Sequence, residues 1–292
     1  MEFQRVYAAA MNHSFQVNRR EALRRISAGT LLALGCWPGA LRAEEQGNAE
    51  NFRFLVINDT HCFTPECGDY LAGVIRQMKT EEGEICLHAG DLADDGERKS
   101  MEMVKAVFGE LGRTLYPVLG NHDYKTQTDC GPYMATYPDR VNYSFEHRGW
   151  QFVALDTTQG LLYDKTSVQP ATLRWVDDHL PGLDKKKPMV IHSHFPMGAG
   201  VKYRPANADD LLDRFRDFNL RAVFDGHWHG FTERTRGATV LTTNRCCSLK
   251  RDNHDGTKEK GYFVCEAKEG QITRRFVEYK TPPAKPTAQP EP

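Results

Sequence analysis

The chain has 292 residues, 40% of them hydrophobic and 26% charged, with 38 basic side chains against 39 acidic ones. That length and apolar content allow one large domain or two small ones, each with a sizeable core. A formal net charge of -1 excludes a global attraction to nucleic acid or to an anionic membrane, so any chemistry has to be local.

The first 43 residues stand apart from the rest. They carry Arg5, Arg19, Arg20, Arg24, Arg25 and Arg42 against only Glu2 and Glu21, which leaves the remainder mildly acidic. Basic "NRREALRR", apolar "ISAGTLLALG" and "LRA" ahead of "EEQ" follow the order of an export signal, and the apolar run is too short to span a bilayer. Residues 1–43 are therefore expected to be removed. The mature chain is expected in the periplasm or outside the cell, with the export machinery as a partner and no transmembrane anchor. "NRREALR" resembles a twin-arginine motif, with Ala22 where a large apolar residue is usual. An amphipathic first helix, a start at Met11 and a lipid on Cys36 of "LALGC" are the alternatives. Cleavage leaves Cys62, Cys67, Cys86, Cys130, Cys246, Cys247 and Cys265, an odd number. Cys62 and Cys67 bracket a short loop and are spaced to pair in an oxidising compartment, whereas Cys86 and Cys265 sit in apolar runs that bury a free thiol. The adjacent Cys246 and Cys247 lack the spacing of a structural zinc site.

Beyond the signal, short apolar runs alternate with amphipathic ones, the pattern of an α/β or layered α+β domain over residues 44–280. Strands are expected at 52–58, 84–89, 115–119, 142–146, 150–155, 188–193 and 221–225, with helices at 68–80, 97–111, 170–180 and 206–218. Further strands fall at 231–236, 238–242, 261–267 and 271–279. "TPPAKPTAQPEP" at 281–292 reads as an extended, disordered tail.

Five of these strands end in ligand-type side chains. "FLVINDTH" delivers Asp59 and His61, "ICLHAGD" Asp91, "LYPVLGNHD" Asn121, His122 and Asp123, "MVIHSHFP" His192 and His194, and "AVFDGHWHG" His227 and His229. The crevice beyond the carboxyl ends of an open α/β sheet is where separate segments converge. Asp59 with His61, and His227 with His229, are i,i+2 pairs that in extended chain point to one side. Any one cluster is most simply a turn or a satisfied core histidine. Five together are hard to bury unless metal ions offset their desolvation. Carboxylate, imidazole and amide oxygen without thiolate suit iron, manganese or zinc. So many candidates exceed one tetrahedral centre and match two ions sharing a carboxylate. With only Asp59 and Asp91 as anionic ligands such a site stays net positive, attracts phosphate and lowers the pKa of a bridging water towards hydroxide near neutral pH.

The ordered set "DTH", "GD", "GNHD", "HSHFP" and "GHWH" resembles the calcineurin-like metallophosphoesterases over about 59–229. The resemblance implies a single-domain, four-layered α/β/β/α fold with two metals at the sheet edge. One metal would be held by Asp59, His61 and His229, the other by Asn121, His194 and His227, with Asp91 bridging. His194 is preferred to His192 because the family ligand often lies two residues before a proline, here Pro196. His192 and His88 would then support ligands from behind or belong to the core. The family role of His122 is to face substrate and steady or protonate the leaving oxygen, with Asp123 holding its imidazole; such a carboxylate raises a histidine's pKa and fixes its tautomer. "GDLADDG" lacks the arginine of the protein phosphatases, and Asp94 stands where purple acid phosphatases carry their coloured tyrosine. The pattern is closer to the cyclic-nucleotide phosphodiesterase-like branch, although "HFP" and "TLRWVDDHL" also resemble the acid phosphatases. The expected activity is hydrolysis of a small phosphomonoester or phosphodiester by a metal-bridging hydroxide. The alternative is a non-catalytic, metal-stabilised module that binds a phosphorylated ligand, and His122, which a mere scaffold does not need, favours the enzyme.

Overall fold

The computed structural model describes residues 49–281; the expected export segment at 1–43 and all but the first residue of the expected tail at 281–292 lie outside the described residues. In chain order the elements are β1 (Phe52–Ile57), α1 (Pro65–Met78), β2 (Ile85–His88), α2 (Arg98–Gly109), β3 (Thr114–Pro117), α3 (Gly131–Thr136), β4 (Tyr143–His147), β5 (Trp150–Leu155), α4 (Pro170–His179), β6 (Met189–Ser193), α5 (Ala208–Arg214), β7 (Leu220–Asp225), β8 (Thr232–Arg236), β9 (Thr239–Thr243), β10 (Gly261–Lys268) and β11 (Gln271–Glu278). One sheet has the order β11-β10-β1-β2-β3, the other β4-β5-β6-β7-β9-β8. β1, β2 and β3 run parallel, as do β5, β6, β7 and β9. Each parallel set therefore opens its carboxyl ends along one edge of its sheet.

Alternation along the strands sorts the side chains into layers. In β1, Phe52, Phe54 and Val56 face Trp150 and Phe152 of β5 and Phe224 of β7 in a core between the two sheets. The intervening Leu55 and Ile57 pack instead with Leu71, Val74 and Ile75 of α1 and Val104 and Phe108 of α2. On the far side, Val153 and Leu155 of β5 and Ile191 of β6 meet Val176 of α4 and Leu211 and Leu212 of α5. The result is the four-layered α/β/β/α sandwich. Strands buried on both faces read as continuous apolar runs, which is why they stood out in the sequence.

The departures have local causes. α1 begins at Pro65 rather than 68, because the Thr64 hydroxyl accepts the Cys67 N–H at 3.3 Å and a proline suits the first turn. Cys67 is thus committed to a capped helix start. It and Cys62 are both buried and free, so the expected pairing does not form, and the other five thiols of the described residues are free as well. The six-residue α3 was not foreseen, being too short to show a period; it is anchored by buried Tyr133, whose hydroxyl donates to the Arg140 carbonyl at 2.9 Å. α5 stops at Arg214, short of the expected 218. No helix of the described residues is long and apolar enough to cross a membrane.

Candidate metal centre

The strands stop just short of the site, and tight backbone turns finish the delivery. β1 ends at Ile57 and β7 at Asp225, so neither i,i+2 pair lies in extended chain as the sequence suggested. Asp59, His61, Asp91, His227 and His229 all adopt left-handed backbone, with φ of 48, 43, 53, 65 and 50°. Side chains rarely accept that region, and residues held there against their preference concentrate at functional sites. The turns are close enough that neighbouring glycines are obligatory. A Cβ on Gly120 would run into the Asp91 carboxylate, and one on Gly226 would lie 2.5 Å from Asp59 Oδ2.

These turns bring all seven expected ligand residues together, each buried. Asp59, His61, Asp91 and His229 form one group with ligand atoms in mutual reach, and Asp91, His194 and His227 a second, so Asp91 belongs to both. His61 Nε2 lies 3.1 Å from His229 Nε2, and His194 Nε2 lies 3.1 Å from His227 Nδ1 and 3.2 Å from Asn121 Oδ1. The outer ring nitrogens explain this crowding. His61 Nδ1–H donates to Asp94 Oδ1 at 2.7 Å, His194 Nδ1–H to the Ala89 carbonyl at 3.0 Å, His227 Nε2–H to the Tyr163 carbonyl at 2.8 Å and His229 Nδ1–H to the Asp252 carbonyl at 3.2 Å. A neutral imidazole that donates outward presents a bare lone pair inward. With all four rings in that neutral form, four lone pairs, two carboxylates and an amide oxygen converge with no donor among them, which is the donor set of a cation site.

The electrostatics agree. Burial works against ionising Asp59 and Asp91, but the facing imidazoles win and hold Asp59 down to about 2 and Asp91 well below the usual carboxylate range. Burial equally opposes charge on His194, yet Asp91 and Asp59 lift it to about 9. The carboxylates thus call for positive charge at their centre, which protons or metal ions satisfy.

His122 stands beside this floor rather than in it. Its N–H donates to Asp91 Oδ1 at 2.9 Å, its ring packs edge-on to His61, and 30% of its side chain stays exposed in the cleft. Contrary to expectation, Asp123 does not hold the His122 ring. Its two carboxylate oxygens accept the Ala93 and Gly120 N–H groups, each at 2.9 Å, and so staple the "GDLAD" loop to the "GNHD" loop. Burial, reinforced by nearby Asp91, pushes its pKa well up. His122 Nδ1 lies instead 3.1 Å from the Asp94 carbonyl and 3.4 Å from Asp94 Oδ1. Asp94 also pairs with Arg251 at 2.5 Å. Sequence reasoning considered Asp94 only for the tyrosine it replaces, although an acid three residues after Asp91 was a usable signal. His88 and His192 stay outside the ligand groups: His88 Nε2 lies 3.1 Å from Thr60 Oγ1, and His192 Nε2–H donates to the Tyr116 carbonyl at 3.0 Å.

Above the floor opens a cleft of about 510 Å³. Three loops that follow strands rim it, contributing Leu161 and Tyr163, then Tyr203, then Lys250, Arg251 and His254.

The chain belongs to the calcineurin-like phosphoesterase family, whose model matches residues 52–231. It is similar to a probable cyclic nucleotide phosphodiesterase of Synechococcus, 29% identical over 179 residues that cover 58% of this chain and 67% of that one. A 3',5'-cyclic adenosine monophosphate phosphodiesterase of Vibrio vulnificus is 25% identical over 219 residues, 68% of this chain and 77% of its own. In structure the chain resembles a dimetal phosphatase of Danio rerio, with a TM-score of 0.62 at 16% identity over 78% of this chain and 96% of that one. A purple acid phosphatase from yellow lupin gives 0.60 at 14% identity over 79% and 52%. Family and relatives together make the protein a metal-dependent phosphoester hydrolase with a cluster suited to metal ions.

Proposed function

We propose that the protein is a phosphodiesterase acting on small diesters, 3',5'-cyclic nucleotides foremost, and that it works outside the cytoplasm after loss of residues 1–43. The observation that carries the chemistry is the inward convergence of lone pairs from four histidines that all donate outward. The relatives' names support the diester, and the charged, apolar and small segments of the N-terminus support export.

One ion would sit with Asp59, His61 and His229 and another with Asn121, His194 and His227, Asp91 serving both, and iron, manganese or zinc held there supplies positive charge that draws in phosphate and acidifies water. The remaining steps belong to side chains. The His122 backbone N–H, donating to Asp91 Oδ1, fixes His122 at the mouth of the floor, and the Asp94 carbonyl accepts from His122 Nδ1–H. With Nδ1 so engaged, Nε2 is the ring nitrogen left to pass a proton to the departing ester oxygen as a water oxygen bonds to phosphorus and the ester P–O bond breaks. Asp123 keeps the two loops in register while this happens.

The test is turnover by metal-free protein refilled with each ion in turn, on cyclic AMP, bis-p-nitrophenyl phosphate and p-nitrophenyl phosphate. Diester turnover well above monoester turnover is expected. A strict preference for the monoester sinks the phosphodiesterase reading. Intact mass of secreted material decides the processing, and a chain that retains residues 1–43 removes the export reading.

A further inference from the structure

The cleft is not symmetric. On the flank of His61 stand polar groups: His122, Asp94 and Arg251, with His254 stacked on His229. On the flank of His227 stand Leu161, Tyr163 and Tyr203. Tyr203 packs edge-on against the His227 ring at 5.2 Å and against Tyr163 at 6.1 Å. Leu161, Leu162 and Tyr163 keep 43%, 43% and 63% of their surface exposed, so three large apolar side chains in a row face water beside the site. Single exposed apolar residues need no explanation, but a contiguous group at a cleft does.

The backbone beneath these side chains is held. The Leu161 N–H donates to Gln127 Oε1 at 3.2 Å, and Gln127 Nε2 donates to the Gln159 carbonyl at 2.9 Å. Two residues on, the Tyr163 carbonyl receives His227 Nε2–H at 2.8 Å, which ties the loop directly to a member of the metal-ligand group. Tyr203 is kept in left-handed backbone, φ 65°, although a bulky side chain resists that region. Exposed side chains on a fixed backbone make a preformed surface, and tyrosine loses little freedom when a ring is laid on it.

We infer that Tyr163 and Tyr203, with Leu161, form a specificity wall that takes a flat ring, a nucleobase or an aryl group, carried by the phosphodiester. The inference rests on the phosphodiesterase reading. It adds which end of the cleft receives the ring and which residues select for it. A substrate ring lies against the wall while its phosphate sits over the floor, so diesters with a planar substituent are selected over those with a small alkyl one. His227 couples the two, since it belongs to the metal-ligand group and also anchors the wall.

The test compares two diesters with the same leaving group, bis-p-nitrophenyl phosphate and methyl p-nitrophenyl phosphate, which differ only in the group that stays behind. The readout is the ratio of their kcat/KM values in metal-loaded full-length protein. Tyr163→Ala is expected to lower that ratio about tenfold, mostly through KM, and Tyr203→Ala to lower it by a similar factor, the scale that ring stacking supplies. Tyr163→Phe should keep the wild-type ratio. A ratio within twofold of wild type in both alanine variants overturns the wall, as does a loss that falls equally on the two diesters. Tyr163 is largely exposed, so its truncation leaves the core intact. Cyclic AMP separates the two readings. A ratio that responds to Tyr163 in a protein inert towards cyclic AMP removes the cyclic nucleotide and keeps the wall. Ready hydrolysis of cyclic AMP with an unresponsive ratio does the reverse.

Discussion

The floor and the rim of the cleft are both built from loops that follow strands, but under opposite constraints. On the floor, Asp59, His61, Asp91 and His194 have almost no surface left, and every outer ring nitrogen and motif glycine is accounted for by a contact. On the rim, Leu161 and Tyr163 keep much of theirs, and only their backbone is held. Buried charge tolerates no substitution because an unpaired partner left behind is costly, whereas an exposed ring acts only when substrate arrives. On the proposed reading, chemistry is confined to the floor and selectivity is left to the rim.

Changes on the floor should abolish activity, and changes one layer out should grade it. Asp91→Asn removes the one carboxylate common to both ligand groups. It is expected to cost at least about a thousandfold in kcat/KM and to drop metal content from two ions to one or none by elemental analysis. Full occupancy in that variant would place the shared ligand elsewhere.

His122→Ala tests the boundary between floor and rim. It should keep both ions and lose ~10²–10⁴-fold in rate, with the loss growing as the leaving group becomes a worse one. Equal slowing of aryl and alkyl leaving groups would leave His122 an electrostatic role and remove proton transfer.

Asp94→Asn reaches the floor only through His61 and His122, so a smaller effect is expected, about 10–100-fold in activity. Its signature should be a weakened metal affinity, read by metal titration of the refilled protein. Asp123→Asn, by contrast, should act on stability, because its carboxylate touches backbone and not His122.

The smallest effect concerns a histidine outside both regions. Burial drives the His192 pKa down to about 3, so the folded protein refuses a proton that the unfolded chain accepts near 6.5. Its contribution to stability is complete above that value, declines as pH falls and is gone near the folded pKa. Between pH 7 and 5 this amounts to about 2 kcal/mol. Urea unfolding at the two pH values should show a loss of stability on acidification that is smaller by about that much in His192→Asn than in the wild type. An unchanged pH dependence would mean that His192 does not resist protonation.

Much was legible without coordinates. Strands buried on both faces had to be continuous apolar runs, and their ends had to carry the polar residues, so β1, β2, β5, β6 and β7 and the seven converging residues could be read from the chain. Local composition also exposed the helix periods of α2 and α4. What the sequence could not settle were relations between segments far apart in it. Spacing suggested an extended Asp59–His61 pair, whereas left-handed turns do the work, with Gly226 packed close against the Asp59 carboxylate. Adjacency suggested that Asp123 holds His122, whereas backbone donors from two loops claim its carboxylate and Asp94 reaches the ring from 28 residues away. Cys62 and Cys67 looked paired because they are close in the chain, but a helix cap fixes one of them. The wall of Leu161, Tyr163 and Tyr203 carries no motif, since exposed rings become a surface only when His227 and Gln127 hold separate loops side by side. Residue types and periodicity determined which chemistry was possible; hydrogen bonds between distant loops decided which residue performs each part of it.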